Sequence, residues 1–282
     1  KTVVALLAML SAVEAGLQAA LMAPTELLVR QHLASLEPYA RAAGVRLACL
    51  TGREKGAGRD TILANLAAGE IDILIGTHAL FSEDVSFKDL GLAVVDEQHR
   101  FGVHQRMQLQ SKGQKSKQSS ADVLVMTATP IPRTLALTAY GDMDVSKITG
   151  RPPGRKPVET RVMSDDRLDE LISHLRTALE RGARAYWVCP LVEESEKIDL
   201  AAAEDRAVML RQALGLNIGL MHGKMKATER DAAMLAFKTG ETQLLVATTV
   251  IEVGVDVPEA TIMVVEHAER FGLAQLHQLR GR

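Results

Sequence analysis

The sequence predicts an α/β fold in two halves, each a mainly parallel sheet flanked by helices. Three observations predict it. Short apolar runs alternate with helix-like segments, the pattern of parallel strands joined by crossover helices. Polar phrases follow directly on several of those runs, at the strand ends where open α/β sheets bind ligands. A break rich in Pro and Gly, Gly150-Arg-Pro-Pro-Gly-Arg-Lys-Pro157, separates two stretches that each show the alternation. The 282 residues suit about two domains of ordinary size, each able to bury a core. We expect a first domain over 1–150, a linker over 151–157 and a second domain over 158–282.

In chain order, the first half opens on Lys1-Thr2 and an apolar segment over 3–13. Strand-like runs follow at 19–23, 45–50, 71–75, 92–95 and 123–126. The phrases Pro24-Thr25-Glu26, Gly76-Thr77, Asp96-Glu97 and Thr127 fall at the ends of four of them. The second half carries a helix over 168–181 and strands near 183–189, 217–221, 244–247 and 261–265. Residues 111–120, full of Lys, Gln and Ser, read as a surface loop.

The most informative stretch is Val94-Val95-Asp96-Glu97-Gln98-His99, where an apolar strand stops at two adjacent carboxylates. In P-loop nucleotide hydrolases the first such acid holds Mg²⁺ and the second orients or activates the attacking water. A bare Asp-Glu pair also fits a solvated turn, so its neighbours decide. Lys1-Thr2 matches the end of a phosphate-binding loop, the Lys reaching the β- and γ-phosphates and the Thr hydroxyl ligating Mg²⁺. A positive residue before an apolar, Ala-rich run also fits a secretory signal, but the chain behind it has a cytosolic character. Thr127-Ala128-Thr129-Pro130 ends a strand in hydroxyls beside the acids, and Thr248-Thr249 does the same before Gly254 and Asp256. Gly254 and Asp256 can bond sugar or groups near the phosphates.

These phrases resemble, in order, the motifs of superfamily-two helicases: Pro24-Thr25-Glu26, Gly76-Thr77-His78, Asp96-Glu97-Gln98-His99, Thr127-Ala128-Thr129, residues 248–256 and Gln278-Leu279-Arg280-Gly281-Arg282. Longer stretches over 96–106, 127–134, 152–157 and 271–282 resemble the RecG family of that superfamily. The transcription-repair coupling translocases share the arrangement but usually carry Glu where Gln98 stands, which favours the RecG family. The resemblance implies two RecA-like domains of P-loop NTPase type that clamp ATP, with Mg²⁺. It implies a helicase or translocase that remodels branched DNA, replication forks and Holliday junctions, in recombination and repair. It further implies a monomer of the bacterial cytoplasm and nucleoid, away from membranes, with branched or forked duplex DNA and single-strand-binding protein as partners. On this reading the chain is a fragment cut inside a motif at each end, inactive alone.

The resemblance also distributes roles. Lys1 and Thr2 engage phosphates and Mg²⁺, and Asp96 holds the metal. Glu97 handles the attacking water, Gln98 and His99 sense the γ-phosphate, and Arg282 and Gln278 act from the second domain. Thr127 and Thr129 couple hydrolysis to motion, as do Arg133, Thr134 and Tyr140. The expected DNA-backbone contacts are Thr25, Arg30, Gly76, Thr77 and His78 in the first domain, and His222, Gly223, Lys224, Thr248 and Thr249 in the second; amides, hydroxyls and cations suit phosphate. For His78 and His222 a polar cap at a strand end fits equally well.

Composition narrows the alternatives. No apolar run reaches the roughly 18 residues needed to span a bilayer. Net charge is −2 and aromatics are 3%, which argues against a broad base-stacking platform and for contact with the sugar-phosphate backbone. Cys49 and Cys189 lie far apart in apolar runs and read as buried thiols. Glu193, Glu194 and Glu196 read as a solvated turn, and His99 and His104 match no strong zinc spacing. An ATPase that moves no DNA has no reason to keep Gly-Thr-His and Thr-Thr at other strand ends. A DNA-binding remnant without catalysis has no reason to keep Glu97 or Arg282.

Overall fold

A computed structural model describes residues 1–97, 121–127, 144–150, 157–190, 196–248 and 257–281. The chain divides into two compact units, Lys1–Ala128 and Thr129–Arg282.

The first unit holds β1 (Gln18–Met22), β2 (Leu47–Leu50), β3 (Ile73–Gly76), β4 (Leu90–Asp96) and β5 (Asp122–Met126), all parallel, in the order β2-β3-β1-β4-β5. Central β1 and β3 are buried throughout, which is why they read as apolar runs without alternation. Among the described residues its helices are α1 (Thr2–Glu14), α2 (Glu26–Ala42) and α3 (Ala57–Ala68). α1 packs on β1 and β4 through Ala5, Leu6 and Met9. α2 starts where Thr25 caps it, its hydroxyl accepting from the Leu28 amide at 3.3 Å.

The second unit holds β6 (Arg184–Val188), β7 (Ile218–Met221), β8 (Leu244–Ala247) and β9 (Ala260–Val265), parallel, in the order β7-β8-β6-β9. Its helices are α4 (Leu168–Glu180), α5 (Glu196–Leu214), α6 (Ala227–Thr239) and α7 (Leu273–Arg280). Trp187, Tyr186 and Phe237 are its largest fully buried side chains, and the Tyr186 and Phe237 rings meet at 4.8 Å.

Every predicted strand is present within two residues of its expected bounds. The differences have local causes. β2 begins at Leu47 and β3 at Ile73 because the Arg46 carbonyl accepts from both the Asp72 and Ile73 amides, and the Arg46 guanidinium grips Asp72 at 2.6 and 2.9 Å. Gln18, buried at the amino end of β1, donates to the Leu66 and Ile71 carbonyls and accepts from the Asp89 amide. Those bonds tie the amino end of β1 to its neighbours on both sides.

Candidate functional site

Strand register brings the polar phrases of the first unit to one edge. Gly76 pairs with both Met22 and Leu50, Met22 with Val95, and Asp96 with Met126. The residues that leave the sheet together are therefore Ala23, Thr51, Thr77, Glu97 and Thr127.

Asp96 and Glu97 are held quite differently. Asp96 is 6% exposed. Its Oδ2 accepts from His32 Nε2 at 2.9 Å and its Oδ1 from the Glu97 amide at 3.0 Å. Burial pushes its pKa up, but the His32 hydrogen bond, the His32 and Lys1 charges and the Glu97 amide outweigh it, and the carboxyl titrates below its ordinary value. Glu97 turns out of the strand with φ 52°, in the left-handed region. Such a conformation costs a non-glycine residue about 1–2 kcal/mol and clusters at functional sites. Its carboxylate lies 3.5 Å from Lys1 Nζ, so the start of α1 meets the end of β4.

The donor set fits Mg²⁺ and a phosphate. Lys1 is the N-cap of α1 without a side-chain cap bond, and the first turn carries no acid. The amides of that turn and the Lys1 ammonium favour an anion. Among the described residues no group of three or more His, Cys, Asp or Glu gathers for a metal. Mg²⁺ is usually bound through one or two carboxylates plus substrate phosphates, and Asp96 offers an oriented carboxylate of that kind. Thr2 opens the same helix directly behind Lys1.

The expected DNA contacts of this unit divide. Thr25 and Thr77 use their hydroxyls as helix caps, Thr77 accepting from the Ala79 amide at 3.5 Å. Gly76 lies where a Cβ would meet the Leu50 carbonyl oxygen at 2.3 Å, so close strand packing also calls for glycine there. Arg30 and His78 are exposed.

In the second unit Met221 and Val188 both pair with Ala247, and Val188 also with Val265. His222, Cys189, Thr248 and Glu266 therefore form its carboxyl edge. The Thr248 amide donates to the Met221 carbonyl at 3.2 Å, which sets Thr248 beside His222. The buried Thr248 Oγ1 and His222 Nδ1 have no hydrogen-bond partner among the described residues. Gly223 and Lys224 are exposed in the turn that follows. On the other side of the edge, Glu266 accepts from the Cys189 thiol at 3.4 Å and pairs with Arg206, whose guanidinium lies 5.9 Å over the Trp187 ring. Gln278 sits half-buried on α7. Gln98, His99, Thr129, Arg133, Thr134, Tyr140, Glu193, Glu194, Thr249, Gly254, Asp256 and Arg282 lie outside the described residues, as do 111–120 and 151–156.

Residues 1–138 match the DEAD/DEAH box helicase family model, and residues 166–282 match the helicase conserved C-terminal domain. The chain is 52% identical to the ATP-dependent DNA helicase RecG of Escherichia coli strain K12 over 284 residues, covering all of this chain and 41% of that protein. The same identity and coverage hold for RecG of Bacillus subtilis. A RecG structure bound to a three-way DNA junction superposes with TM-score 0.78 at 45% identity, over 99% of this chain and 36% of that one.

The chain belongs to the RecG helicase family.

It spans about two fifths of the length of the RecG proteins it matches. Saccharomyces cerevisiae Dbp5, bound to RNA and ADP BeF3, shares the fold at 16% identity and TM-score 0.71 over the whole chain. Within this RecG-family chain, three functional candidates escaped the sequence reading. They are His32, and the Arg206–Glu266 pair. His32 had a signal: it falls on the buried face of α2 with Leu28, Val29, Leu36 and Ala40, where an aliphatic side chain is expected. Arg206 and Glu266 had none, because only tertiary packing brings α5 to the end of β9.

Proposed function

We propose that this chain is the motor of a RecG-type DNA translocase, which uses ATP with Mg²⁺ to remodel branched duplex DNA such as replication forks and Holliday junctions. The observation that carries the reading is the Lys1, Asp96 and Glu97 constellation at the carboxyl edge of the first sheet, with Lys1 Nζ 3.5 Å from Glu97. Lys1 binds phosphate oxygens and, in the ground state, restrains Glu97. Asp96 presents an oriented carboxylate to Mg²⁺, and Thr2 adds its hydroxyl. Mg²⁺, when bound, neutralises charge on the phosphate oxygens. Glu97, held apart from Asp96 by its left-handed backbone, orients the attacking water or takes its proton. Thr127 leaves β5 beside Glu97, where a hydroxyl is suited to couple hydrolysis to movement, and Thr129 shares that role.

Gln98, His99, Gln278 and Arg282 keep their proposed catalytic roles, and Gly254 and Asp256 their roles toward the nucleotide. Thr25, Arg30, Gly76, Thr77, His78, His222, Gly223, Lys224, Thr248 and Thr249 are proposed to touch the DNA backbone. We place the domains at 1–150 and 158–282 with 151–157 as linker. The full-length protein is proposed to be monomeric and cytoplasmic, with single-strand-binding protein as a partner. No helix among the described residues is long and apolar enough to cross a membrane.

The test is ATP hydrolysis by the full-length protein with and without forked DNA, beside Glu97→Gln. Stimulation by the fork that disappears in the variant supports a DNA-driven motor. Hydrolysis indifferent to DNA moves the reading to an ATPase that is not a motor and discards the DNA contacts.

A further inference from the structure

α2 buries one titratable side chain. Of its buried residues Leu28, Val29, His32, Leu36 and Ala40, only His32 is polar, and it is 6% exposed. Taking an imidazole out of water is costly unless it is hydrogen-bonded, so a partner must offset that cost. The partner is Asp96, equally buried, whose Oδ2 accepts from Nε2 at 2.9 Å. With Oδ1 accepting from the Glu97 amide at 3.0 Å, both oxygens are fixed from the protein side. Each carboxylate oxygen has two lone pairs, so one bond on each leaves capacity facing outward. Two anchors on opposite oxygens prevent the carboxylate from rotating about its χ2 axis. They leave it aimed.

His32 also belongs to a helix with a second attachment at the same edge. About two turns earlier, Thr25 caps α2, and Glu26 accepts from Arg53 Nε at 2.6 Å in the turn after β2. That turn is closed by Glu54, which accepts from the Thr51 amide and hydroxyl at 2.5 and 2.6 Å. α2 is therefore one rigid body with its start in the β2 turn and its middle on Asp96.

We propose that His32 is a positioning residue for the metal site: it holds the Asp96 carboxylate in the orientation that receives the Mg²⁺ of the bound nucleotide, and it ties that orientation to the seat of α2. The inference rests on the proposed assignment of Asp96 to Mg²⁺. Removing a group that hydrogen-bonds a metal-ligating side chain typically costs 10–100-fold in metal affinity. His32→Leu suits the apolar face of α2 but has no donor. His32→Gln keeps an N–H donor near the place of Nε2.

The experiment is equilibrium binding of a fluorescent ATP analogue to the full-length protein, titrated with Mg²⁺, for wild type, His32→Leu and His32→Gln, with thermal unfolding of each without nucleotide. We expect the half-saturating Mg²⁺ to rise about tenfold in His32→Leu and to return to within about threefold of wild type in His32→Gln, while nucleotide affinity without Mg²⁺ is unchanged. Should His32→Leu not fold, His32→Asn, whose amide stops short of Asp96, replaces it with the same expectation. A folded Leu or Asn variant with the wild-type midpoint overturns the proposal, as does an equal shift in the Gln variant. A fall in melting temperature alone assigns His32 to packing and also overturns it. Wild type whose nucleotide binding ignores Mg²⁺ instead overturns the metal assignment at Asp96.

Discussion

At the carboxyl edge of the first sheet nearly every polar group has a partner within the unit, whereas the β7–β8 side of the second sheet ends in buried polar atoms with none among the described residues. On the first edge Lys1 meets Glu97, His32 meets Asp96, Glu54 closes on Thr51, and Thr25 and Thr77 cap helices. On the second, Thr248 Oγ1 and His222 Nδ1 lack hydrogen-bond partners among the described residues while sitting side by side. Buried polar groups are nearly always satisfied, and exceptions ask for a ligand, a water or a functional reason. The proposed function gives the two strand ends different uses. On that proposal the first edge aims charged groups for chemistry, and the second offers Thr248 and His222 to a phosphate backbone.

The contrast breaks most visibly at Lys1. Lys1→Ala in the full-length protein removes a cation from the phosphate site and leaves Glu97 without that neighbour. A charge-assisted bond of about 1.5–3 kcal/mol corresponds to nucleotide binding weaker by about 10–100-fold, read by titration with labelled ATP. Binding that stays unchanged would remove Lys1 from the site.

The close packing behind the first edge is probed by Gly76→Ala. The added methyl would meet the Leu50 carbonyl oxygen at 2.3 Å and the Leu80 side chain at 2.8 Å. Overpacking of this kind costs about 1–3 kcal/mol, measurable as a lower melting temperature. An unchanged melting temperature would mean that the strands part easily there and that Gly76 has some other role.

Thr248→Val sharpens the other half of the comparison. If the hydroxyl is kept for DNA, as proposed, its removal leaves folding stability equal or improved, because no protein partner is lost. Affinity for duplex DNA at fixed salt falls about tenfold if that hydroxyl bonds phosphate. Loss of stability with unchanged DNA affinity reverses the reading of this edge.

Acid titration separates the edges more gently. The folded-state pKa of Asp96 is depressed because the His32 bond and nearby charges outweigh burial. Its contribution to stability is therefore present above the ordinary aspartate value and is lost as pH falls through the depressed one. Urea unfolding of Asp96→Asn should lose stability less steeply in that acid range than wild type. Equal slopes would mean that Asp96 is not held as an anion.

The smallest effect concerns the thiols. Burial, then the Glu266 charge and hydrogen bond, push Cys189 up to about 12, and burial with nearby acids pushes Cys49 up to about 11. Both should resist alkylation at mildly alkaline pH in the native protein and react once it is unfolded, as mass spectrometry would show. Rapid native alkylation of Cys189 would mean that its seat against Glu266 opens.

Much of the fold was legible because parallel strands buried on both faces are short unbroken apolar runs, as in Ile73–Gly76 and Leu244–Ala247. The place of Asp96 and Glu97 at the carboxyl end of a strand was legible because they follow such a run. Strand order was not legible. Nothing local says that β1 lies between β3 and β4, or that Thr248 comes to rest beside His222. His32 was hard to see for a related reason. A lone histidine on an apolar helix face is usually core, and only the carboxylate opposite, 64 residues along the chain, gives it a role. Thr25 and Thr77 show a local role the motif reading did not state: their hydroxyls cap helices, each accepting from a backbone amide with the O–H left to donate.

The division between an edge for chemistry and an edge for contact is tested most directly by Glu97→Gln in the full-length protein, with ATP turnover and forked-DNA affinity measured on the same preparation. The expected result is turnover reduced by about 100-fold or more, the usual worth of a general base, with DNA affinity within about threefold of wild type. Turnover and DNA affinity falling together would contradict it, because Glu97 would then serve contact as much as chemistry.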